Sequence, residues 1–320
     1  MRTVIFTKYG PPSVLHIKEQ AKPVPGDNEI LVKIMATTVT TADIRIRSAN
    51  PWVARLVYGI FTPKIQTLGI DFAGIVEETG KDVTLFKKND EVFGSSGFEF
   101  GTYAEYKCFS QDAVIAHKPK NISFEVATAI TFGGLTSLYF LEKGKIKKGD
   151  KVLIHGASGC LGTAAVQLAK DFGAEVTAVC SGSNAEMVKS IGAKFVIDYT
   201  KEDFTKNGVK YDLIYDTLGQ CPFNGCVKSI KPGGYYLRAV HYNPVDVVKG
   251  LWTNLTTKVK VVGGVCKETT EKLNFMAQKV VEGKFNPVID KVYPMEEIVA
   301  AHEFVDKGHK KGNVVIKIAS

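Results

Sequence analysis

The 320-residue sequence lacks several features that would place it in a specialised class of protein. It has no low-complexity run, no arginine cluster and no block of like charge, and its net charge of +8 comes from lysines spread along the chain. Such a distribution argues against nucleic acid as a partner. It also fits a basic pocket for an anionic small molecule. With 45% hydrophobic residues the chain can bury a large core, and its length predicts about two domains.

Long apolar runs are also missing. One long uncharged run, residues 126–141, is interrupted by Gly133 and Gly134, and it is shorter than the roughly 20 apolar residues that a membrane helix needs. We therefore expect a buried helix there and no stable membrane insertion. The N-terminal stretch "MRTVIFTKYG" alternates polar and apolar residues, which predicts a strand rather than the apolar core of a signal peptide.

Cysteine is scarce, and no C-x2-C pair occurs among the six cysteines. Without a visible export signal, scattered cysteines favour reduced thiols in a cytoplasmic protein. Only Cys221 and Cys226 lie close together in the sequence, and no second pair accompanies them. Because a free cysteine is among the most buried residue types, we expect buried thiols and no metal at these positions.

The pattern of apolar residues changes along the chain. Up to about residue 120 short alternating strands and turns predict a β-rich unit. Strands and amphipathic helices then alternate, and strands such as "KVLIHG" and "YDLIYDTLG" are continuous apolar runs, as in a parallel sheet covered by helices on both faces. The sequence therefore predicts an α/β fold with domains at 1–122 and 123–265, and a tail, 266–320, that returns to the first domain.

The stretch "HGASGCLGT" follows a predicted strand and opens an amphipathic helix. This context favours a dinucleotide-binding G-x-G-x-x-G turn, although Ala157 fills the first glycine position, ahead of Gly159 and Gly162. The alternative is a plain strand-to-helix turn. The predicted cofactor contacts of the turn are Ala157, Ser158, Gly159, Cys160, Leu161 and Gly162.

The residues after the second strand of this domain indicate which nucleotide binds. An NAD-binding fold usually has an acidic residue there for the ribose 2′-hydroxyl, whereas this chain has the neutral "CSGSN". Ser181, Ser183, Asn184 and, farther on, Tyr199 could face a 2′-phosphate without repulsion, so we expect NADPH rather than NADH. Glu186 is acidic, but with Ser183 it forms a capping-box pattern that would turn it toward the helix start.

Several motifs in this order resemble the medium-chain dehydrogenase/reductase superfamily: "GIDFAGIVEETG", "NDEVFG", "GTYAEY", "GGLTSLYFL" and "GDKVLIHGASGCLGTAAVQLAK". The match covers nearly the whole chain and is similar to the zinc-free quinone oxidoreductase branch, which includes zeta-crystallin. The resemblance implies a GroES-like β domain, a Rossmann domain with a doubly wound parallel sheet, and a homodimer.

Zinc alcohol dehydrogenase activity is the nearest competing interpretation. The zinc branch has a cysteine in the loop after the third strand and a His-Glu pair after a glycine. The corresponding loop here reads "TTVTTADIRIRS", and the pair is Ile70 and Asp71. Since neither position offers a cysteine or a histidine, the resemblance implies no metal at the active site.

The resemblance also implies four residues of the catalytic machinery. Thr40 falls where many relatives have an asparagine, Asp43 matches a family aspartate, and Arg45 falls where some relatives have a tyrosine. Thr136 matches the family threonine near the nicotinamide carboxamide. The structural alternatives are a locally bonded strand-end hydroxyl for Thr40, a surface charge for Arg45 and a helix threonine bonded to a preceding carbonyl for Thr136.

Further cofactor contacts are expected where parallel strands end, because ligands bind at the carboxyl ends of such strands. These contacts are Leu218 and Gly219 after one strand, and Val240 and His241 after the next. A structural role is the alternative for His241. Near the C-terminus, Gly312 and Asn313 lie where relatives often have Gly-Lys before the last strand.

Without a Lewis acid, the enzyme needs a substrate that is already electrophilic, such as a quinone or an α,β-unsaturated carbonyl. The sequence thus predicts a zinc-independent, NADPH-dependent reductase of these small molecules. A non-catalytic NADPH-binding protein is a further alternative. The apolar segment 51–61 departs from the family pattern and is interpreted as a substrate lid, as a patch for lipid or another subunit, or as a packed excursion.

Overall fold

The computed structural model describes residues 1–52, 54–240 and 244–319. The helices in these ranges, α1 to α9 in chain order, are Thr41–Ser48, Ala54–Tyr58, Phe124–Lys143, Cys160–Asp171, Ala185–Ser190, Phe223–Lys228, Pro244–Thr256, Thr270–Val281 and Ile298–Asp306. The strands, β1 to β15, are Arg2–Ile5, His16–Glu19, Glu29–Thr38, Asp71–Thr79, Glu91–Ser95, Tyr106–Ser110, Val114–His117, Lys151–His155, Glu175–Cys180, Phe195–Asp198, Tyr211–Asp216, Ile230–Arg238, Lys260–Gly263, Ile289–Pro294 and Asn313–Lys317.

The chain divides into two compact units. The first unit comprises Met1–Phe132, Glu268–Val281 and Pro287–Ser320, and the second comprises Gly133–Lys267 and Glu282–Asn286. Helix α3 begins in the first unit and ends in the second. We describe each unit separately.

The second unit is built on a six-stranded sheet with the order β10-β9-β8-β11-β12-β13. Every pairing in it is parallel. The centres of the middle strands are apolar, and Val152, Leu153 and Ile154 of β8 are all buried, as continuous apolar runs predict for a sheet covered on both faces. The predicted doubly wound parallel sheet is therefore confirmed.

The first unit contains a seven-stranded sheet with the order β14-β15-β3-β4-β5-β7, in which β6 also pairs with β3. Its strands pair antiparallel, except β14 with β15. The C-terminal strands thus complete the N-terminal sheet, since Val315 of β15 lies opposite Thr38 of β3. A β-rich first domain is confirmed, in agreement with the GroES-like interpretation.

The observed boundaries differ from those at 122 and 265. The first turns of α3 belong to the first unit because Ala129 packs in a small cluster with Ala36 and Val315. A short C-terminal piece belongs to the second unit because the Gln167 amide bonds both the backbone N–H and the carbonyl of Asn286, at 2.8 and 3.0 Å. Neither side-chain contact is visible in the sequence pattern.

Within the described residues, α3 is the one helix that is long and apolar enough to cross a bilayer. Most of its apolar part, 72%, is buried inside the protein. A core helix of a soluble fold has the same length and composition, so this burial agrees with the buried helix expected for residues 126–141.

Candidate active site

The glycine turn lies between β8 and α4. Gly156 takes the left-handed conformation, with φ of +77°, and Ala157 is fully buried, with its N–H bonded to the Val179 carbonyl at 3.0 Å. The positive φ therefore falls on Gly156 and not on Ala157, which explains how alanine is tolerated at the first motif position.

The two remaining glycines of the motif differ in their surroundings. A Cβ on Gly162 would lie 2.1 Å from the Gly156 carbonyl oxygen, so only glycine permits this approach of helix and turn. A Cβ on Gly159 would meet nothing nearer than 3.6 Å. The space beside Gly159 is thus open, as a turn that receives a ligand requires.

The start of α4 can hold a phosphate group. Gly159 is its N-cap, and no side chain caps the helix. The N–H groups of the first helical turn and the positive end of the helix dipole attract anions. These residues fit the pyrophosphate of a dinucleotide, which the predicted contacts at Ser158, Cys160 and Leu161 would surround.

The second half of α3 packs closely on this turn. A Cβ on Gly133 would lie 2.7 Å from the Cys160 sulfur, and the Ser137 hydroxyl donates to the Leu161 carbonyl at 2.8 Å. Thr136 is adjacent to Ser137 and is buried, with 7% of its surface exposed. Thr136 therefore lies next to a residue that contacts the glycine turn, and its role beside the nicotinamide stays a prediction.

The residues predicted to face the ribose 2′-phosphate begin just after β9. The Ser181 and Ser183 hydroxyls are 3.0 Å apart, and the Asn184 amide donates to Ser181 at 3.1 Å. The Asn184 Oδ1 atom is buried and has no partner. Tyr199, after β10, is largely exposed. Three of the four predicted residues form one neutral hydrogen-bonding group.

The predicted capping box of Ser183 and Glu186 is wrong. A 3-10 turn already begins at Gly182, with Ser181 as its N-cap, so Ser183 lies inside the turn. The Glu186 side chain is instead 92% exposed and pairs with Lys189 at 3.4 Å. Glu186 is nonetheless directed toward a lysine, which offsets its charge.

The loop after β11 is anchored by a residue that the sequence analysis missed. Asp216 is fully buried and its Oδ1 atom accepts the N–H groups of Leu218 and Gly219, at 3.2 and 2.9 Å. Burial raises the pKa of Asp216, but hydrogen bonds from His155 and the loop lower it more, so the carboxyl stays ionised. An aspartate at the carboxyl end of a strand with an apolar centre is the sequence signal that was available.

Three potential metal ligands meet at this loop: His155, Asp216 and Cys221 lie within 4.8 Å of one another. The His155 Nδ1 and Asp216 Oδ1 atoms are 3.3 Å apart. However, the Asp216 Oδ2 atom accepts the Cys221 N–H at 3.2 Å, and a hydrogen bond with the Cys226 thiol, together with burial, raises the pKa of Cys221. The Asp216 carboxylate is thus already bonded to the loop, which it anchors.

The predicted contacts at the next strand end are only partly described. Val240, just after β12, is half-buried. His241 lies outside the described residues.

In the first unit, Thr40 and Asp43 form the capping box of α1. The Thr40 hydroxyl donates to Asp43 Oδ2 at 2.6 Å, and the Asp43 N–H bonds the Thr40 hydroxyl at 3.3 Å. Asp43 Oδ1 accepts the Gly69 N–H at 2.8 Å. Burial raises the pKa of Asp43 above its usual value, although these hydrogen bonds offset part of the increase.

A role of Thr40 and Asp43 toward the substrate stays a prediction, and the structure shows a local role for both residues. Asp43 is fully buried, and Thr40 is 4% exposed with its proton bonded to Asp43. The two residues fix the start of α1 against Gly69, so they position the loop. For Thr40, the alternative of a locally bonded hydroxyl is the one that the structure supports.

Arg45 is half-buried on α1, and its role toward a substrate stays a prediction. The sequence pattern did not indicate a structural role for the second arginine of this helix. Arg47 is 1% exposed and its guanidinium pairs with Asp306 of α9 at 2.7 Å. This bond ties α1 to the C-terminal helix inside the first unit.

The positions of the zinc ligands are occupied by other groups. Ile70 is a buried hydrocarbon side chain, 6% exposed. Asp71 is also buried, and its Oδ2 atom accepts the Thr38 hydroxyl at 2.7 Å. Neither residue of this pair offers a nitrogen or sulfur ligand to zinc.

Gly312 and Asn313 have a structural explanation. A Cβ on Gly312, whose φ is +63°, would lie 2.2 Å from the Val288 carbonyl oxygen. The Asn313 N–H and side-chain amide both donate to that same carbonyl, at 2.8 and 3.0 Å. The pair joins β15 to the start of β14, and a cofactor contact there stays a prediction.

The apolar segment 51–61 is mostly exposed in its described part. The interpretation as a packed excursion holds for Tyr58, which meets Phe100 edge-on with ring centroids 6.3 Å apart, and for the buried Gly59, whose carbonyl accepts the Tyr9 hydroxyl at 2.8 Å. Trp52 and Phe61, by contrast, are 63% and 89% exposed. The segment thus presents an apolar surface rather than a core element.

Comparisons with known proteins agree with this architecture. Residues 26–120 match the alcohol dehydrogenase GroES-like domain, and residues 191–316 match the zinc-binding dehydrogenase model. The 2-methylene-furan-3-one reductase of Solanum lycopersicum is 32% identical, and the alignment covers 99% of this chain and 79% of the relative.

Two solved structures share the whole fold. The quinone oxidoreductase of Coxiella burnetii superposes with a TM-score of 0.91 and 30% identity, covering 100% of this chain and 99% of the other. The quinone oxidoreductase of Escherichia coli, solved in complex with NADPH, has a TM-score of 0.85 and 26% identity, covering 99% and 100%. Together with the glycine turn and the GroES-like sheet, these matches establish that the chain belongs to the medium-chain dehydrogenase/reductase superfamily, in its quinone oxidoreductase branch.

Proposed function

We propose that the protein is a zinc-independent reductase that uses NADPH to reduce quinones or α,β-unsaturated carbonyls. The observation that carries the proposal is the chemistry where the zinc branch has its ligands. The loop "TTVTTADIRIRS" after β3 offers no cysteine, and Ile70, the first residue of the pair that is His-Glu in the zinc branch, is a buried hydrocarbon. A substrate oxygen here receives hydrogen bonds and protons rather than a Lewis acid.

NADPH supplies a hydride when it is bound, and the second unit supplies the groups that hold it. The start of α4 binds the pyrophosphate, Thr136 orients the carboxamide, and Ser181 and Ser183 face the 2′-phosphate. Neutral hydroxyls favour NADPH because an acidic residue at this place would repel the additional phosphate. The complex of the Escherichia coli quinone oxidoreductase with NADPH supports the same cofactor.

The substrate must be electrophilic before it binds. Hydride addition to a quinone or an enone produces a phenolate or an enolate, both of which hydrogen bonds can stabilise. An unactivated alcohol would need a metal or a strong base to lose its proton. The Solanum lycopersicum relative is named as a reductase of a methylene-furanone, which is an enone.

Steady-state kinetics test the proposal. The purified protein is assayed with NADPH and with NADH against 1,4-benzoquinone and but-3-en-2-one, with added zinc and with a chelator. We expect turnover with NADPH that neither zinc nor the chelator changes. Zinc-dependent oxidation of a simple alcohol with preference for NAD would contradict the proposal, and cofactor binding without turnover of either acceptor would favour a non-catalytic NADPH-binding protein.

We also propose that the protein is a homodimer joined through the second unit. Strand β13 lies at one edge of the six-stranded sheet, and α7, which precedes it, exposes an apolar stripe formed by Val248, Leu251, Trp252 and Leu255. An unpaired edge strand beside an apolar stripe fits a second copy of the chain. Light scattering after gel filtration should give twice the monomer mass, and Leu251→Glu should give the monomer mass; a monomeric wild type would contradict the proposal.

The proposed compartment is the cytoplasm. All six cysteines are free thiols, as expected in a reducing compartment. Relatives include mitochondrial proteins, so localisation of a tagged full-length chain by fluorescence microscopy is the direct test.

A further inference from the structure

The backbone of the apolar segment 51–61 is held against the first unit at its C-terminal end. The Tyr9 hydroxyl, from the loop after β1, donates to the Gly59 carbonyl at 2.8 Å. The Lys64 N–H then donates to the Tyr58 carbonyl at 2.7 Å. Because the inner side of this stretch is already packed and bonded, its outward side chains have no space on the protein into which they could turn.

The outward side chains are large and apolar. Leu56 and Val57 of α2 are exposed, although the next residue, Tyr58, packs on Phe100. Exposed aromatic and aliphatic side chains gathered in a short stretch mark a surface that binds a partner. We define the docking surface as these exposed apolar residues together with two basic ones: Trp52, Leu56, Val57, Ile60, Phe61, Arg55 and Lys64.

The charged residues of this stretch are all basic. Between Asp43 and Asp71 the sequence has no acidic residue, and both aspartates are buried. The Arg55 guanidinium lies 4.9 Å from the centre of the Tyr9 ring, and its Nε atom has no hydrogen-bond partner among the described residues. Lys64 is exposed. The docking surface therefore combines apolar side chains with positive charge.

Anionic lipid fits both of these properties. Tryptophan, phenylalanine and leucine enter the boundary between lipid headgroups and acyl chains, and nearby Arg and Lys charges are attracted to anionic headgroups. A second copy of the chain fits less well. In a symmetric dimer this surface would face itself and would bring like charges together.

We propose that the docking surface binds the protein peripherally to a bilayer that contains anionic lipid. Trp52, Val57 and Phe61 enter the headgroup boundary, Lys64 binds lipid phosphates, and Arg55 adds to the positive potential. The protein lies on the bilayer and does not span it. The inference goes beyond the proposed reductase function and does not depend on it, because binding to lipid needs neither cofactor nor substrate.

Vesicle flotation of the full chain tests the proposal. We expect wild type to float with vesicles of phosphatidylcholine and phosphatidylglycerol, and to float less with phosphatidylcholine alone or after salt is added, since ions screen the basic charges. Phe61→Ser should weaken binding about tenfold, because a phenylalanine that no longer enters the boundary loses its apolar burial. Phe195→Ser, at an exposed position on β10 of the second unit, is the matched control and should bind as wild type. Absence of wild-type flotation would overturn the proposal, as would equal binding by wild type and Phe61→Ser.

The charge of Lys64 is tested in the same assay. Lys64→Gln should lower affinity for the anionic vesicles about fivefold and leave binding to phosphatidylcholine unchanged. Lys88→Gln, at an exposed position between β4 and β5, is the control for loss of a surface lysine. The assignment to anionic lipid would be wrong if these two variants bound the anionic vesicles equally well.

The two tryptophans of the chain give a second readout. Trp252→Phe leaves Trp52 as the single tryptophan, and its fluorescence should shift to shorter wavelength when anionic vesicles are added, because the indole leaves water. Trp52→Phe leaves Trp252, whose emission should not change. A shift of Trp252 alone would place the lipid contact on the second unit and overturn the proposal.

Kinetics and light scattering separate the docking surface from a substrate lid and from a contact between subunits. Phe61→Ser should retain the wild-type mass and the wild-type KM for but-3-en-2-one, which is soluble in water. A raised KM would identify a lid, and a changed mass would identify an interface between copies; either result would contradict docking on lipid. Failure of the proposed function is distinct, since wild type would then reduce neither acceptor and would still float with the anionic vesicles.

Discussion

His302 and Tyr103 form a buried pair in the first unit. The His302 Nε2 atom lies 3.2 Å from the Tyr103 hydroxyl, and the two rings meet edge-on at 89°. Since the tyrosine hydroxyl donates to the Thr38 carbonyl at 3.3 Å, Nε2 is the protonated nitrogen that donates to it. The other nitrogen, Nδ1, is buried without a partner, so the imidazole is neutral.

This neutral histidine should make the protein sensitive to acid. Burial, aided by the nearby Arg47 charge, lowers the pKa of His302 to about 3. The unfolded chain takes up this proton below its ordinary pKa of about 6.5, so the contribution of His302 is present above that pH and is lost progressively as the pH falls toward 3. Each pH unit in this window removes up to about 1.4 kcal/mol of unfolding free energy.

Urea unfolding between pH 4 and pH 7 measures this effect. In His302→Gln the loss of stability toward pH 4 should be shallower than in wild type, and His309→Gln, at an exposed position, should retain the wild-type slope. Equal slopes in all three proteins would mean that His302 is protonated in the folded state.

The contribution of Asp71 to stability should have the opposite dependence on pH. Its pKa is raised in the folded state, so its contribution is fully present below the unfolded value of about 3.9 and is lost as the pH rises toward the folded pKa. Asp71→Asn removes this loss. Relative to wild type, the variant should gain stability as the pH rises from about 4 toward the folded pKa of Asp71, by at most about 1.4 kcal/mol per pH unit.

Thermal unfolding followed by circular dichroism checks the Asp71 prediction at each pH. The difference in Tm between variant and wild type should grow with pH and should be smallest near pH 4. A constant difference would show that the folded and unfolded states hold the same charge at this residue.

Some features of the fold and the site could be predicted from the sequence, and others could not. The parallel sheet was predictable because strands such as β8 and β11 have apolar centres, and the glycine turn because its motif is local. The buried hydrogen bond between Thr38 and Asp71 was not predictable, because it depends on the register of two strands separated by many residues. The capping box predicted at Ser183 was wrong for a local reason. A 3-10 turn starts one residue earlier, at Gly182, so that Ser181 is the N-cap.

The glycines of the turn should respond differently to alanine. Gly162→Ala places a methyl group 2.1 Å from the Gly156 carbonyl oxygen, and such overpacking costs about 1–3 kcal/mol. Gly159→Ala meets no atom nearer than 3.6 Å and has a φ of −79°, so the fold should tolerate it. The added methyl group would nevertheless occupy the space beside the helix start, where a pyrophosphate approaches.

Two measurements separate these effects. Gly162→Ala should lower the Tm, whereas Gly159→Ala should keep the wild-type Tm and weaken NADPH binding in a fluorescence titration about tenfold, equivalent to about 1.4 kcal/mol. Wild-type affinity in Gly159→Ala would place the pyrophosphate elsewhere.

The choice between NADPH and NADH should depend on the hydroxyls after β9. Ser183 is exposed and contacts Ser181, so an aspartate there brings a negative charge to the proposed 2′-phosphate site without disturbing the core. We expect Ser183→Asp to raise KM for NADPH about tenfold, a cost of about 1.4 kcal/mol, and to leave KM for NADH unchanged. Ser190→Asp, also exposed but at the far end of α5, is the control for added charge. Equal losses for both cofactors in Ser183→Asp would mean that this residue supports the fold of the turn rather than recognition of the phosphate.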